Sequence, residues 1–189
     1  MIDFYKNYLE NYYKLLTNFD RNKFSKLENI LSKSIKNKKT IFIFGNGGST
    51  SIASHVATDL TKMCKAKALN LSDHNLTTCF ANDFGFENWV KESLKHYANE
   101  RDLVILISSS GESKNMINAA NYCRINKIKL ITFTGFNKNN KVSKLGDLNF
   151  WVNSKKYNYV ENIHQTWLLS IIDKLSKNMT FKKSRNTYL

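Results

Sequence analysis

Two short segments of this chain bring together residue types that can hold an anion. The first is Gly45-Asn46-Gly47-Gly48-Ser49, and the second is Ser108-Ser109-Ser110-Gly111-Glu112-Ser113. Glycines let a ligand approach the backbone and leave N–H groups open, and serine hydroxyls add donors without a fixed charge. If each segment opens a helix, the free N–H groups and the positive end of the helix dipole favour a phosphate. Neither segment carries the Gly-Lys-Ser/Thr ending of a P-loop, and the first is not a clean dinucleotide fingerprint. Serine and glycine are also ordinary turn and cap residues. It is the repetition of such a segment at two equivalent places that points to an anion site.

A second set of residues could move protons. His55 and Asp59 stand four apart, on one face of a helix, and Glu161, His164 and Gln165 share a face at spacings of three and four. Imidazole and carboxylate are the usual general acids and bases. They are also ligands suited to zinc. Each residue has an ordinary alternative: His55 as a satisfied core histidine, Asp59 as a hydrogen-bonding helix residue, His164 as a packing residue.

The elements around these segments give them their places. Apolar residues at helical spacing predict two N-terminal amphipathic helices, through Tyr5, Tyr8, Leu9, Tyr12 and Leu16 and through Phe24, Leu27, Ile30, Leu31 and Ile35. Thr40 to Phe44 reads as a buried strand that runs into the glycine segment, and a helix over Ser51 to Met63 follows, with Ser49 or Thr50 as its N-cap. Ala68 to Leu71 reads as a short strand and Asn88 to Tyr97 as a helix. Leu103 to Ile107 is a strand ending in the serine segment, followed by a helix through Met116, Ala119, Ala120 and Cys123. Lys129 to Phe133 and Leu148 to Val152 are the last strands, and Val160 to Leu175 is a long helix before a polar tail. Apolar strands alternating with helices predict a three-layer α/β/α sandwich with a parallel sheet. Both anion segments then fall at the carboxyl edge of the sheet, where open α/β folds bind ligands.

The chain divides as one domain over 1–189: a helical pair over 1–38, an α/β core with its C-terminal helix over 39–178, and a basic tail over 179–189. No apolar run approaches the roughly 20 residues of a membrane-spanning helix, and the N-terminus lacks the apolar core of a secretory signal. Three scattered cysteines and no Cys-x-x-Cys pair argue against a disulfide framework and a thiolate zinc site. A cytoplasmic protein is expected. The net charge of +14 comes from lysines spread along the chain, with a local cluster only at Lys182-Lys183-Ser184-Arg185. That distribution predicts a solvated basic surface that attracts phosphorylated metabolites, and no nucleic-acid partner.

The order of strand, Gly45-Asn46-Gly47-Gly48-Ser49, helix, Asn82-Asp83-Phe84-Gly85, strand, Ser108-Ser109-Ser110-Gly111-Glu112-Ser113 and Thr134-Gly135 resembles the sugar isomerase (SIS) domain family, and within it the phosphoheptose isomerases. The resemblance covers nearly the whole chain. It implies a sugar-phosphate substrate, with Asn46, Gly47, Ser49, Ser108, Ser109, Ser110 and Ser113 around the phosphate and Asn82 and Asp83 near the sugar. It also implies a homotetramer with sites shared between subunits, for which Tyr5, Tyr8 and Tyr12 offer an interface. The reaction implied is aldose–ketose isomerisation of sedoheptulose 7-phosphate through an enediol, in heptose synthesis for surface polysaccharide. Many members hold zinc with His-x-x-x-Glu on the helix after the glycine loop and with a Gln and a His on the C-terminal helix. Here that set reads His55, Asp59, Glu161 and Leu169. Asp59 then becomes the expected base, assisted by His55, Glu161 and His164. The resident cofactor is expected to be none, with zinc on His55, Asp59 and Glu161 as the alternative. Some relatives are non-catalytic adaptors for the replication initiator. Leu169 points toward them, and the intact serine segment points away.

Overall fold

The odd and even residues of the central strands face two different cores, and this alternation organises the molecule. The computed structural model describes residues 3–185, with side chains to residue 178. The basic cluster at 182–185 and the end of the predicted tail therefore have side chains outside the described residues. Five strands, β1 (Thr40–Gly45), β2 (Lys67–Leu69), β3 (Leu103–Ser108), β4 (Lys129–Thr134) and β5 (Leu148–Trp151), form one sheet in the order β2-β1-β3-β4-β5. Every pairing is parallel. Ile41, Ile43, Ile105, Ile107, Ile131 and Phe133 point to one face, and Phe42, Phe44, Val104, Leu106 and Leu130 to the other. A sheet buried on both faces needs strands that are apolar throughout, which is why Ile-Phe-Ile-Phe and Leu-Val-Ile-Leu-Ile lack a polar alternation.

The first face is covered by α2 (Arg21–Lys36), α3 (Gly48–Cys64) and α8 (Tyr157–Arg185), with α1 (Phe4–Thr17) at its margin. Leu27, Leu31, Ile52, Val56, Leu60, Val160, Ile163 and Leu168 are the buried teeth of that layer. The second face is covered by α5 (Trp89–Tyr97), α6 (Lys114–Ile125), the margin of α4 (His74–Phe84) and the short α7 (Lys141–Leu145). The three-layer sandwich is as expected. Two helices, α4 and α7, lie where no helix is predicted from periodicity, and α8 runs ten residues beyond the expected Leu175. The Ala68 strand is shorter and starts at Lys67. No described helix is long and apolar enough to cross a membrane.

Helix α1 buries no residue within the chain, and Phe4, Tyr5, Leu9 and Tyr13 are exposed along it. Its contact with the body runs through Tyr8 and Tyr12, which pack on Tyr159, and through Tyr159 Oη, which donates to Tyr8 O at 3.0 Å. Cys64 and Cys123 are buried free thiols, pushed up by burial to about 11 and about 12, so they pack rather than react.

The start of β1 is tied to β3 by one buried carboxylate. Asp102 accepts hydrogen bonds from Thr40 N at 2.8 Å and Asn99 N at 3.0 Å. Asp102→Ala leaves the Thr40 N–H without its partner inside the fold, so it is expected to cost about 1.5–3 kcal/mol. Urea unfolding measures this as a lower midpoint at unchanged slope.

Candidate active site

The cleft at the carboxyl edge is built by two adjacent strands that end together. Gly45 of β1 pairs with Ile107 of β3, so the glycine loop and the serine loop leave the sheet side by side. They are then joined by a reciprocal amide pair. Asn46 Nδ2 donates to Asn115 Oδ1 at 3.0 Å, and Asn115 Nδ2 donates back to Asn46 Oδ1 at 2.8 Å. Asn115 is buried on the first turn of α6, and its Oδ1 also accepts from Met116 N. Asn115, which the sequence reading does not single out, thus fixes the spacing of the two loops. An asparagine one residue inside a predicted helix start is the signal that could have revealed it.

Both loops open a helix whose N-terminus faces the cleft. At α3 the cap is Gly47, with φ +53, rather than the expected Ser49 or Thr50. A side chain at that backbone angle is strained, which is why glycine stands there. Ser49 and Thr50 instead lie inside the first turn, and Thr50 Oγ1 turns back to the carbonyl of Gly45. At α6 the cap is Ser113. Asp3, Asp20, Asp73 and Asn140 cap α1, α2, α4 and α7 with their side chains, whereas α3, α5 and α6 have no side-chain cap, and of these α3 and α6 open at the cleft. The two helices at the cleft are left to a ligand that carries negative charge.

A cavity of about 270 Å³ lies between these ends. Asn46, Gly47, Ser49, Ser108, Ser109, Ser110 and Ser113 line it, as expected, together with Gly48, Ile107, Tyr157 and Glu161. Ser49, Ser108 and Ser109 are buried, and Ser109 Oγ has no partner among the described residues. A buried hydroxyl without a partner is costly unless something binds it. Ser108 Oγ accepts from Gly111 N and Ser110 Oγ from Glu112 N, so both hydroxyls are held with their protons free to donate outward.

Glu161 enters the cavity from the first turns of α8. A Cβ on Gly48 would collide with its carboxylate, so the glycine makes room for the acid. Burial pushes the Glu161 carboxyl above the usual carboxylate range. That strengthens it as a base and retains its proton more readily once taken.

The other predicted residues are placed elsewhere. His55 and Asp59 are joined on α3, with His55 Nε2 3.2 Å from Asp59 Oδ2, and neither lines the cavity. Gln165 reaches them from α8, its Nε2 3.0 Å from His55 Nδ1. Asn82 and Asp83 stand on the last turn of α4 rather than on a loop; they are bonded to each other and exposed. His164 lies fully buried in the core beneath the sheet edge. Its Nε2 is 3.1 Å from Thr134 O and its ring packs edge-on against Phe133. The expected assisting role for His164 has no access to the cavity, because Val160 and Ile163 of the same face are core residues. Among the described residues no three His, Cys, Asp or Glu side chains gather as metal ligands. The set His55, Asp59 and Glu161 is split between the α3 pair and the cavity, and Leu169 has no donor, so the residues of one protomer do not fit the family's zinc.

An open parallel sheet with an uncapped helix pair and hydroxyls at its carboxyl edge defines an α/β protein built to hold a phosphorylated ligand. The chain belongs to the SIS domain family, whose model matches residues 4–135. A phosphoheptose isomerase from Buchnera aphidicola of Schizaphis graminum is 31% identical over 183 residues, covering 88% of this chain and 92% of that one. One from Fusobacterium nucleatum is 31% identical over 159 residues, covering 82% and 79%. The structure of a phosphoheptose isomerase from Neisseria gonorrhoeae superposes with a TM-score of 0.84 at 21% identity, covering 91% of this chain and 96% of that one.

The buried His164 makes stability depend on pH. Burial lowers it from 6.5 to about 4, so the folded ring stays neutral while the unfolded one takes a proton first. Its contribution is complete above about pH 6.5 and is lost as pH falls toward 4, where the unfolded state binds more protons. A loss approaching about 3 kcal/mol is expected. Denaturant melts of the wild type and His164→Asn over that interval measure it, and the variant's curve is expected to be flatter.

Proposed function

We propose that this protein is an aldose–ketose isomerase that converts sedoheptulose 7-phosphate to D-glycero-D-manno-heptose 7-phosphate, supplying a heptose for surface polysaccharide. The observation that carries this reading is the meeting of both anion loops and Glu161 in one cavity, in a chain that shares 31% identity with a phosphoheptose isomerase over nearly its whole length. The whole chain acts as one SIS domain. The exposed aromatic face of α1 supports assembly with further copies, most simply a tetramer, in which Asn82 and Asp83 would reach a neighbouring cavity. Composition favours the cytoplasm.

The phosphate sits on Ser49, Ser108, Ser109, Ser110 and Ser113, drawn by two helix N-termini. The sugar then extends toward Glu161. Ionised Glu161 removes the proton from C1 of the ketose, and the C1–H electron pair becomes the C1=C2 bond of the enediol. The carbonyl π pair passes to O2, which takes a proton. Glu161 returns its proton to C2 as O1–H is lost and C1=O forms. The oxygen-to-oxygen proton is carried by water, since the His55–Asp59 pair does not line the cavity, and no net charge or electron is left over. A carboxyl raised by burial suits both halves of this exchange.

Incubation with sedoheptulose 7-phosphate in deuterated water is expected to place deuterium on the aldose product at C2. Glu161→Gln is expected to lower kcat at least about a hundredfold with little change in KM. Ser110→Ala removes one charge-assisted hydrogen bond and is expected to weaken sugar-phosphate binding by about one to two decades. Binding without exchange for any sugar phosphate would leave the adaptor reading standing.

A further inference from the structure

Helices α3 and α8 run alongside each other in the same direction, and their facing residues form a ladder. Gly48 opposes Glu161, His55 opposes Gln165, and Cys64 Sγ donates to Ile172 O. Glu161, Gln165 and Leu169 follow at successive turns of α8. The top rung lies in the cavity. Leu169, the third, packs against the apolar core. The middle rung is polar, is half open to solvent, and is used by nothing that binds the phosphate.

We infer that Gln165 is a positioning residue for the His55–Asp59 pair: its amide locks His55 in a single tautomer and so aims that ring at Asp59. The contact to His55 Nδ1 is made by the amide nitrogen, at 3.0 Å. An amide N–H only donates, so Nδ1 must offer its lone pair, and the ring proton is forced onto Nε2. There the Asp59 carboxylate accepts it at 3.2 Å. The three side chains come from two helices, so the ring cannot turn without breaking a hydrogen bond at one end. Both ring nitrogens are engaged by the chain's own groups. A metal would have to displace the Gln165 amide or strip the Nε2 proton, and one turn farther along α8 Leu169 offers it no ligand. The amide therefore stands where a metal would otherwise hold this ring.

The test is nitrogen NMR of imidazole-labelled protein, compared among wild type, Gln165→Leu and Gln165→Glu, with metal content measured on the same samples. Wild-type His55 is expected to show one neutral tautomer with its proton on Nε2, and less than stoichiometric zinc. Gln165→Leu is expected to give a mixture of tautomers, with Gln165→Glu departing from the wild-type spectrum because it cannot donate when ionised. An Nδ1–H tautomer in the wild type, an unchanged tautomer in Gln165→Leu, or stoichiometric zinc that disappears in His55→Ala would overturn the inference. Should the wild type turn over no sugar phosphate at all, the tautomer and the metal content still decide it, and only the isomerase reading fails.

Discussion

The reciprocal amide pair between Asn46 and Asn115 is the interaction on which the cleft depends. Parallel pairing of β1 with β3 brings two loops to the same edge, but adjacent loops have no fixed separation of their own. Two hydrogen bonds of 3.0 and 2.8 Å, one of them from a buried side chain, fix that separation. Each amide satisfies the other, so losing either one strands a polar group where water is scarce. The free ends of α3 and α6, the serine hydroxyls and the open backbone at Gly47 are all placed by this one constraint. The Glu161 carboxyl is placed by a second close approach, the missing side chain of Gly48.

Charge explains why the cavity can do without a lysine. The chain carries +14 overall, which concentrates phosphorylated metabolites near its surface. A larger groove of about 620 Å³, on the far side of β5, holds Lys23, Lys138 and Lys144, with Asp20 among them. Two of its three lysines have other engagements: Lys23 donates to Asn149 O and Lys138 lies over the Trp151 ring. Size and lysine count alone would favour that groove. The smaller cleft has the buried hydroxyls, the uncapped helices and the carboxyl in one place, and it is the one that can both hold a phosphate and act on the carbon chain beside it. Fixed dipoles also bind a phosphate without neutralising Glu161, which a lysine at the same distance would do.

The sheet and the two loops were legible in the sequence because burial on both faces leaves an unmistakable pattern: short β-branched and aromatic runs ending in glycine or serine. Helix α4 was not legible because it buries no residue fully and its stripe of Leu76, Phe80 and Phe84 is short; a further sign was Asp73, the cap directly before His74. Helix α7 is too short for periodicity and is announced only by Asn140. The cap at Gly47 was missed because Ser49 and Thr50 are better caps by type, and only the turn geometry reverses the preference. Glu161 was found through the family's metal set, although the structure supports it for a different reason, its desolvation inside the cavity. His164 has the right chemistry but faces the core; spacing places a residue on a helix face without saying which face meets the ligand. Gln165 was legible only as sharing a helix face with Glu161 and His164, and its partner turned out to be His55.

The account stands on where the sugar phosphate sits. A crystal structure of the protein soaked with sedoheptulose 7-phosphate measures that directly. Phosphate oxygens within hydrogen-bond reach of the Ser108–Ser110 loop and the α3 N-terminus, with C1 and C2 beside the Glu161 carboxylate, are the predicted result. A phosphate bound at the Lys23, Lys138 and Lys144 groove, or a sugar whose C1 and C2 point away from Glu161, would contradict it.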